Sequence, residues 1–345
     1  MSRSRFLPLA LVLLAGCAPA PGPSPLPSSS PVPYGAQATI RVGANAGVVS
    51  AIPGSAWVAN MADGTVSRID TATNRVVATV RLGNTETLLA QGCGASSVHA
   101  VPIGSFLIRA CDLPNAVVAT HDAVWATVND TQDLVRIDPA SNRVALRVHL
   151  GRPAFGLEAG PTGVWVSDFD DDTVVRVDPA ANRQTAVVTG LDLGPTGMVE
   201  VAGALWVACS LAGMVDRVDP VSAKVVARIP VGGDTRSRPL PMLAYQGAAW
   251  VRSENTDQLQ RIDPLTNAAG APITVSPPEG RDGLDSLAAD SRGIWVSGLR
   301  LERVDPVAGV VDLRLARNAM AVSAGAGSLW LTDLVGTITR LEAGG

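Results

Sequence analysis

The sequence predicts an all-β chain: a seven-bladed β-propeller with four antiparallel strands per blade, closed into a ring by a strand near the amino terminus. Three observations carry this. All seven tryptophans, Trp57, Trp125, Trp165, Trp206, Trp250, Trp295 and Trp330, follow a small or aliphatic residue at the same place in a repeated unit. Behind six of them an Arg-(Ile/Val)-Asp triplet closes the segment, as in Arg68-Ile69-Asp70 and Arg176-Val177-Asp178, and Arg340-Leu341-Glu342 takes its place in the seventh. Subtracting Trp positions gives spacings of 68, 40, 41, 44, 45 and 35, the period of four-stranded blades with one insertion in the first gap.

At the amino terminus, Arg3 and Arg5 precede an apolar run, Phe6 to Ala15, that is too short to span a bilayer and ends in Leu14-Ala15-Gly16-Cys17. Those four residues resemble the lipobox of bacterial lipoproteins. The resemblance implies a signal peptide over residues 1–16, with Cys17 lipidated as the first mature residue. Residues 17–37, rich in Pro and Ser and free of charge, read as a tether; at about 3.1 Å per residue it reaches up to roughly 60 Å. The chain is therefore expected to be exported and lipid-anchored to the bacterial membrane, in the periplasm or at the cell surface, touching the membrane through lipid alone.

Residues 38–345 then form the ring. Each unit reads as an apolar strand, a strand carrying the Trp, a third such as Thr65 to Asp70, a Pro/Asn turn, and a fourth such as Val76 to Val80. Alternation is imperfect because neighbouring blades cover both faces of each sheet. The last unit stops after its third strand, whereas Ala38 to Gly43 precedes the first and matches the fourth-strand text Val80 to Gly83. That spare strand is expected to complete the seventh blade and remove the open sheet edge. The arginines fall one per repeat rather than in a cluster, which suits structural contacts.

The insertion, about residues 84–115, contains Cys93 and Cys111, expected to form a disulfide in an oxidising compartment, while Cys209 reads as a small buried strand residue. Together with the stretches Gly232 to Pro241 and Ser276 to Leu284, it elaborates one face of the ring, because all three join a fourth strand to the next first strand. Loops on a rigid scaffold are where binding concentrates. Ligand-binding candidates on that face are Arg152, Arg236, Arg281 and Arg317, with Asp168 and Asp170 from a turn between second and third strands. Glu158 and Glu200 lie on adjacent innermost strands, at offsets of seven and six from Trp165 and Trp206, so their facing depends on a one-residue register. If both face the axis, like charge raises one pKa and gives an acid/base couple or a cation site. The run Asp168-Phe169-Asp170-Asp171-Asp172 is no EF-hand, since Thr173 stands at the sharp-turn glycine and Pro179 at the bidentate glutamate. No Cys/His metal spacing is present.

The chain carries 27 basic and 31 acidic residues; losing Arg3 and Arg5 with the leader leaves 25 against 31, a net charge of about −6, which argues against nucleic acid as a partner. Runs such as Val164-Trp165-Val166-Ser167-Asp168, Thr173-Val174-Val175-Arg176-Val177-Asp178-Pro179 and Ala181-Asn182-Arg183 resemble YVTN-type and virginiamycin B lyase-like propeller repeats across about residues 38–345. The resemblance implies the architecture and, for an enzyme of the lyase type, magnesium with His and Glu at the central mouth. His99, His121 and His149 fall in the insertion, a short turn and an outer strand, away from such a place. The expected function is a monomeric, non-enzymatic binding module for a protein, peptide or glycan, with no cofactor and no catalytic residue assigned. The alternative is a lyase or lactonase-like hydrolase using Glu158, Glu200 and a divalent Mg or Ca ion.

Overall fold

The computed structural model describes residues 34–82, 100–103, 106–109, 114–129, 131–277, 286–317, 319–333 and 335–343. Seven antiparallel sheets surround an axis; six follow chain order from the innermost strand outward, and the seventh takes its outermost strand from the amino-terminal end of the described chain. The innermost strands are Ala46–Ile52, Val117–Ala119, Leu157–Gly160, Pro195–Val201, Pro239–Tyr245, Leu287–Asp290 and Val322–Gly325, and each touches the next around the circle. A separate hairpin, Ala100–Ile103 with Phe106–Arg109, lies in the insertion. Among the described residues no helix is long and apolar enough to cross a membrane.

The circle closes as the spare strand requires. Tyr34–Arg41 forms the outer strand of blade seven, with Ile40 opposite Ile338 and Arg41 opposite Thr337, and the Val42 N–H donates to Gly336 at 2.9 Å. The strand begins four residues before Ala38, so Tyr34 to Gln37 belong to the sheet rather than to the tether. Tyr34 holds this early start by packing edge-on against Trp295, with centroids 4.8 Å apart, under the Arg292 guanidinium. Such an anchor is a tertiary contact that the weak strand formers Gly35 and Ala36 do not announce.

The repeated text has a physical reason. Every Trp is at most 3% exposed and packs between blades. In six blades the triplet arginine lies over the Trp of its own blade, 5.2 to 5.9 Å from the ring centroid. Several of these guanidinium groups also donate across the joint to the next blade: Arg68 to Pro139 O and Asn142, Arg176 to Pro220 O, Arg217 to Pro264 O and Asn267. Arg340 carries the pattern round the closure to Thr71 O and Asn74. The triplet aspartate caps the following turn; Asp178, for example, accepts from Ala180 and Ala181, which holds its carboxyl below the usual range. Asn74, Asn142, Asn182 and Asn267 end these turns at φ near +55°, a conformation Asn tolerates well.

Blade five departs from the pattern. Its outer strand is broken into Ala268–Ala269 and Ile273–Thr274, and Arg261 pairs with Asp263 of its own triplet at 3.4 Å. The joint to blade six is made instead by Arg252 on the Trp strand, fully buried, which donates to Ser297 O at 2.7 Å and Ser276 O at 2.9 Å.

Candidate functional site

The elaborated face carries the loops between blades and the turns between second and third strands. Arg152 and Asp168 meet there on blade three: the Arg152 guanidinium donates to Thr173 Oγ1 at 2.7 Å and lies 3.7 Å from Asp168 Oδ2. Asp168 is 1% exposed and accepts from the Asp170 and Asp171 N–H groups, so it is the wall of a turn rather than an open ligand. Burial raises its carboxyl pKa, with its own turn hydrogen bonds opposing. Asp170 is exposed. Arg236 is exposed in the loop into blade five, where its carbonyl accepts from Asn255. Arg317 is half-buried, its backbone bonded to Leu315 and Leu301. Arg281, Cys17, Cys93, Cys111 and His99 lie outside the described residues.

Glu158 and Glu200 come together, but not by both facing the axis. Glu158 stands opposite Trp165 and Glu200 opposite Leu205, so the two side chains leave opposite faces of their own sheets and meet between blades three and four. This is the consequence of the odd and even offsets. Glu158 Oε1 accepts the Glu200 N–H at 3.2 Å, the contact that Ser50 makes to Ala119 and Ser323 to Ala51 in other blades. Glu200 Oε2 accepts from the Thr162 N–H, the Thr162 hydroxyl and the Trp165 indole, at 2.9 to 3.2 Å. Gly160 makes room for this, since a Cβ there would collide with the Glu200 carboxylate. Thr162 sits in the turn on the opposite face, so the pair lies away from the elaborated mouth. Burial pushes the Glu158 carboxyl up to about 7, with the Glu200 charge adding and its N–H opposing. Among the described residues no three His, Cys, Asp or Glu side chains are grouped to hold a metal ion. His121 and His149 are exposed beside Asp122 and Asp133.

What the sequence reasoning missed is apolar. Phe155 and Phe169 pack with centroids 5.6 Å apart, and a Cβ on Gly194 would lie 3.0 Å from Phe169 and 2.9 Å from Leu211. Leu193 and Leu211, 57% and 49% exposed, complete a contiguous patch over blades three and four on the elaborated face. The signal was present: Phe169 and Leu211 occupy turn positions where polar residues are the norm. Val221, Leu265 and Val307 are also exposed, but each sits alone in the turn of a different blade.

No protein-family model and no curated protein matches the sequence. Solved structures match in fold. A streptogramin B lyase superposes with a TM-score of 0.67 at 12% identity, over 87% of this chain and 94% of that one. A catalytically inactive variant of the virginiamycin B lyase from Staphylococcus aureus, with quinupristin, gives 0.69 at 13%, over 90% and 99%. Hydrazine synthase from Kuenenia stuttgartiensis gives 0.64 at 12%, over 88% and 97%. The chain is an all-β, seven-bladed propeller. Its architecture is that of the virginiamycin B lyase-like propellers, and identities this low carry architecture only.

Proposed function

We propose that the protein is a non-enzymatic binding module, held at the cell envelope by lipid on Cys17, whose ligand is a protein or peptide segment docking on the elaborated face over blades three and four. The observation that carries this is the contiguous Phe155, Phe169, Leu193 and Leu211 patch, edged by the acidic turn Asp170 to Asp172. An apolar centre with a charged rim is the anatomy of a recognition surface. The rim's sign favours a partner that carries basic residues beside apolar ones. The lyase or hydrolase alternative draws less support, because the Glu200 carboxylate is engaged by Thr162 and Trp165 and the glutamate pair lies away from the elaborated mouth.

The test is affinity capture from envelope extract with the wild type and with Leu193→Asp and Leu211→Asp, both at exposed positions. A partner retained by wild type and lost from both variants at unchanged melting temperature supports the reading. Identical profiles for all three overturn it. Anchoring is tested apart from this: Cys17→Ser is expected to move the protein from the membrane to the soluble fraction.

A further inference from the structure

The turns that join third to fourth strands open on the face opposite the elaborated one, since strands alternate in direction within every sheet. In blades one to six these turns are built alike. The triplet aspartate accepts the N–H of the residue two positions on, and that residue stands exposed. It is Ala72, Ala140 and Ala180 in blades one to three. In blades four, five and six it is Val221, Leu265 and Val307, at 83%, 90% and 88% exposure.

The larger apolar side chains come with a loss of charge beside them. The first residue of the fourth strand stands opposite the capping aspartate: Arg75, Arg143, Arg183 and Lys224 in blades one to four, but Ala268 and Val310 in blades five and six. Asp263 and Asp305 keep their carboxylates turned onto the amides of their own turns. The three apolar tips form no patch with one another, because each belongs to a separate blade. A flat apolar medium needs no patch, only tips on one side of the molecule.

The entry point of the chain indicates what lies on that side. Tyr34 stands opposite Ala343, just past the Arg340-Leu341-Glu342 triplet, so the segment that follows Cys17 joins the ring at the level of these turns. Blade seven, which receives it, adjoins blade six, and the tips and the attachment point share one arc of four blades. Sixteen residues separate Cys17 from Tyr34, at most about 60 Å of chain. A lipid on Cys17 therefore keeps this face at high local concentration above the bilayer. We propose that Val221, Leu265 and Val307 insert into the lipid surface and seat blades four to seven on the membrane, with the elaborated face turned away toward its ligand. This rests on the lipid anchor at Cys17 proposed above. The lipid holds the protein and the tips set its orientation; because the tips are uncharged, the seating depends neither on anionic lipid nor on salt.

Fluorescence quenching by brominated lipid tests this. Leu265→Trp adds an indole at the central tip, and Val335→Trp adds one, as the matched control, at a position 83% exposed in an aspartate-capped turn on the elaborated face of blade seven. The full chain of each variant is reconstituted through its lipid in phosphatidylcholine vesicles with and without bromine on the acyl chains. The emission added by Leu265→Trp is expected to fall by about half or more in the brominated vesicles, equally at low and high salt, while Val335→Trp is quenched no more than wild type. Adding Val221→Asp and Val307→Asp to Leu265→Trp restores most of the lost emission. Equal quenching of the two single variants, no quenching of Leu265→Trp, or quenching untouched by the two aspartates overturns the proposal; a face that docks a soluble protein instead gives the second of these. A chain that proves to carry no lipid is held on nickel-chelating vesicles through an amino-terminal histidine tag and read in the same way, so failure of the Cys17 anchor and failure of the lipid-facing surface are told apart.

Discussion

The joint between blades one and two and the joint between blades five and six solve one problem with differently placed arginines. In the first, Arg68 stacks on Trp57 at the rim of the sheet, half exposed, and reaches the next turn. In the second, Arg261 stays on its own blade and the link passes through Arg252, 0% exposed, with Glu254 and Arg238 close by. Burial raises the Glu254 carboxyl, with the Arg238 and Arg252 charges opposing. A rim contact costs little desolvation, so it recurs; the buried one demands compensation by carbonyls and by a counter-charge. The broken outer strand of blade five accompanies the exchange.

Perturbing the joints separates these cases, and the largest effect should come from the closure itself. Deleting residues 34–41 bares the edge of blade seven and is expected to remove a large part of a net stability of roughly 5–15 kcal/mol, read as loss of a cooperative denaturant transition. Next, Arg252→Ala should cost about 3–5 kcal/mol in guanidinium unfolding, since it strips cover from the buried Glu254. A cost near that of an exposed residue would mean that blade five is held by packing alone.

A third joint, between blades three and four, brings in pH. Glu158 rises in the fold from 4.5 to about 7. Below pH 4.5 it is protonated in both states; between there and about 7 the unfolded chain releases the proton while the fold keeps it, so stability falls as pH rises. Glu158→Gln, neutral throughout, should therefore stabilise by roughly 2–3 kcal/mol above pH 7 and change little near pH 4. A pH-independent effect would contradict the buried carboxyl. Arg68→Ala should cost about 1–2 kcal/mol, for the lost ring contact and charge-assisted bonds. The smallest effect belongs to Arg261→Ala, within about 0.5 kcal/mol; equal losses at Arg68 and Arg261 would erase the contrast.

The ring and its closure were legible because Trp, Arg and Asp each do one repeated job: filling a joint, clamping the next blade, and capping a turn. The Glu158 and Glu200 geometry was half legible. Offsets of seven and six already put the side chains on opposite sheet faces, yet only the packing of blade against blade turns that into a meeting. The Tyr34 start and the Arg252 substitution were invisible, because each depends on a partner far away in sequence, Trp295 for one and Ser297 for the other. The Phe155 and Leu193 patch was legible only residue by residue, because its members come from two blades and only their packing makes them one surface.

The latch also dictates a timetable. Gln37 and Glu342 hydrogen bond although 305 positions separate them, so the strand made near the start waits for its mate until nearly the whole chain has emerged. Contacts this remote slow folding, and through that interval the strand's unpaired backbone is open to whatever holds nascent chains apart.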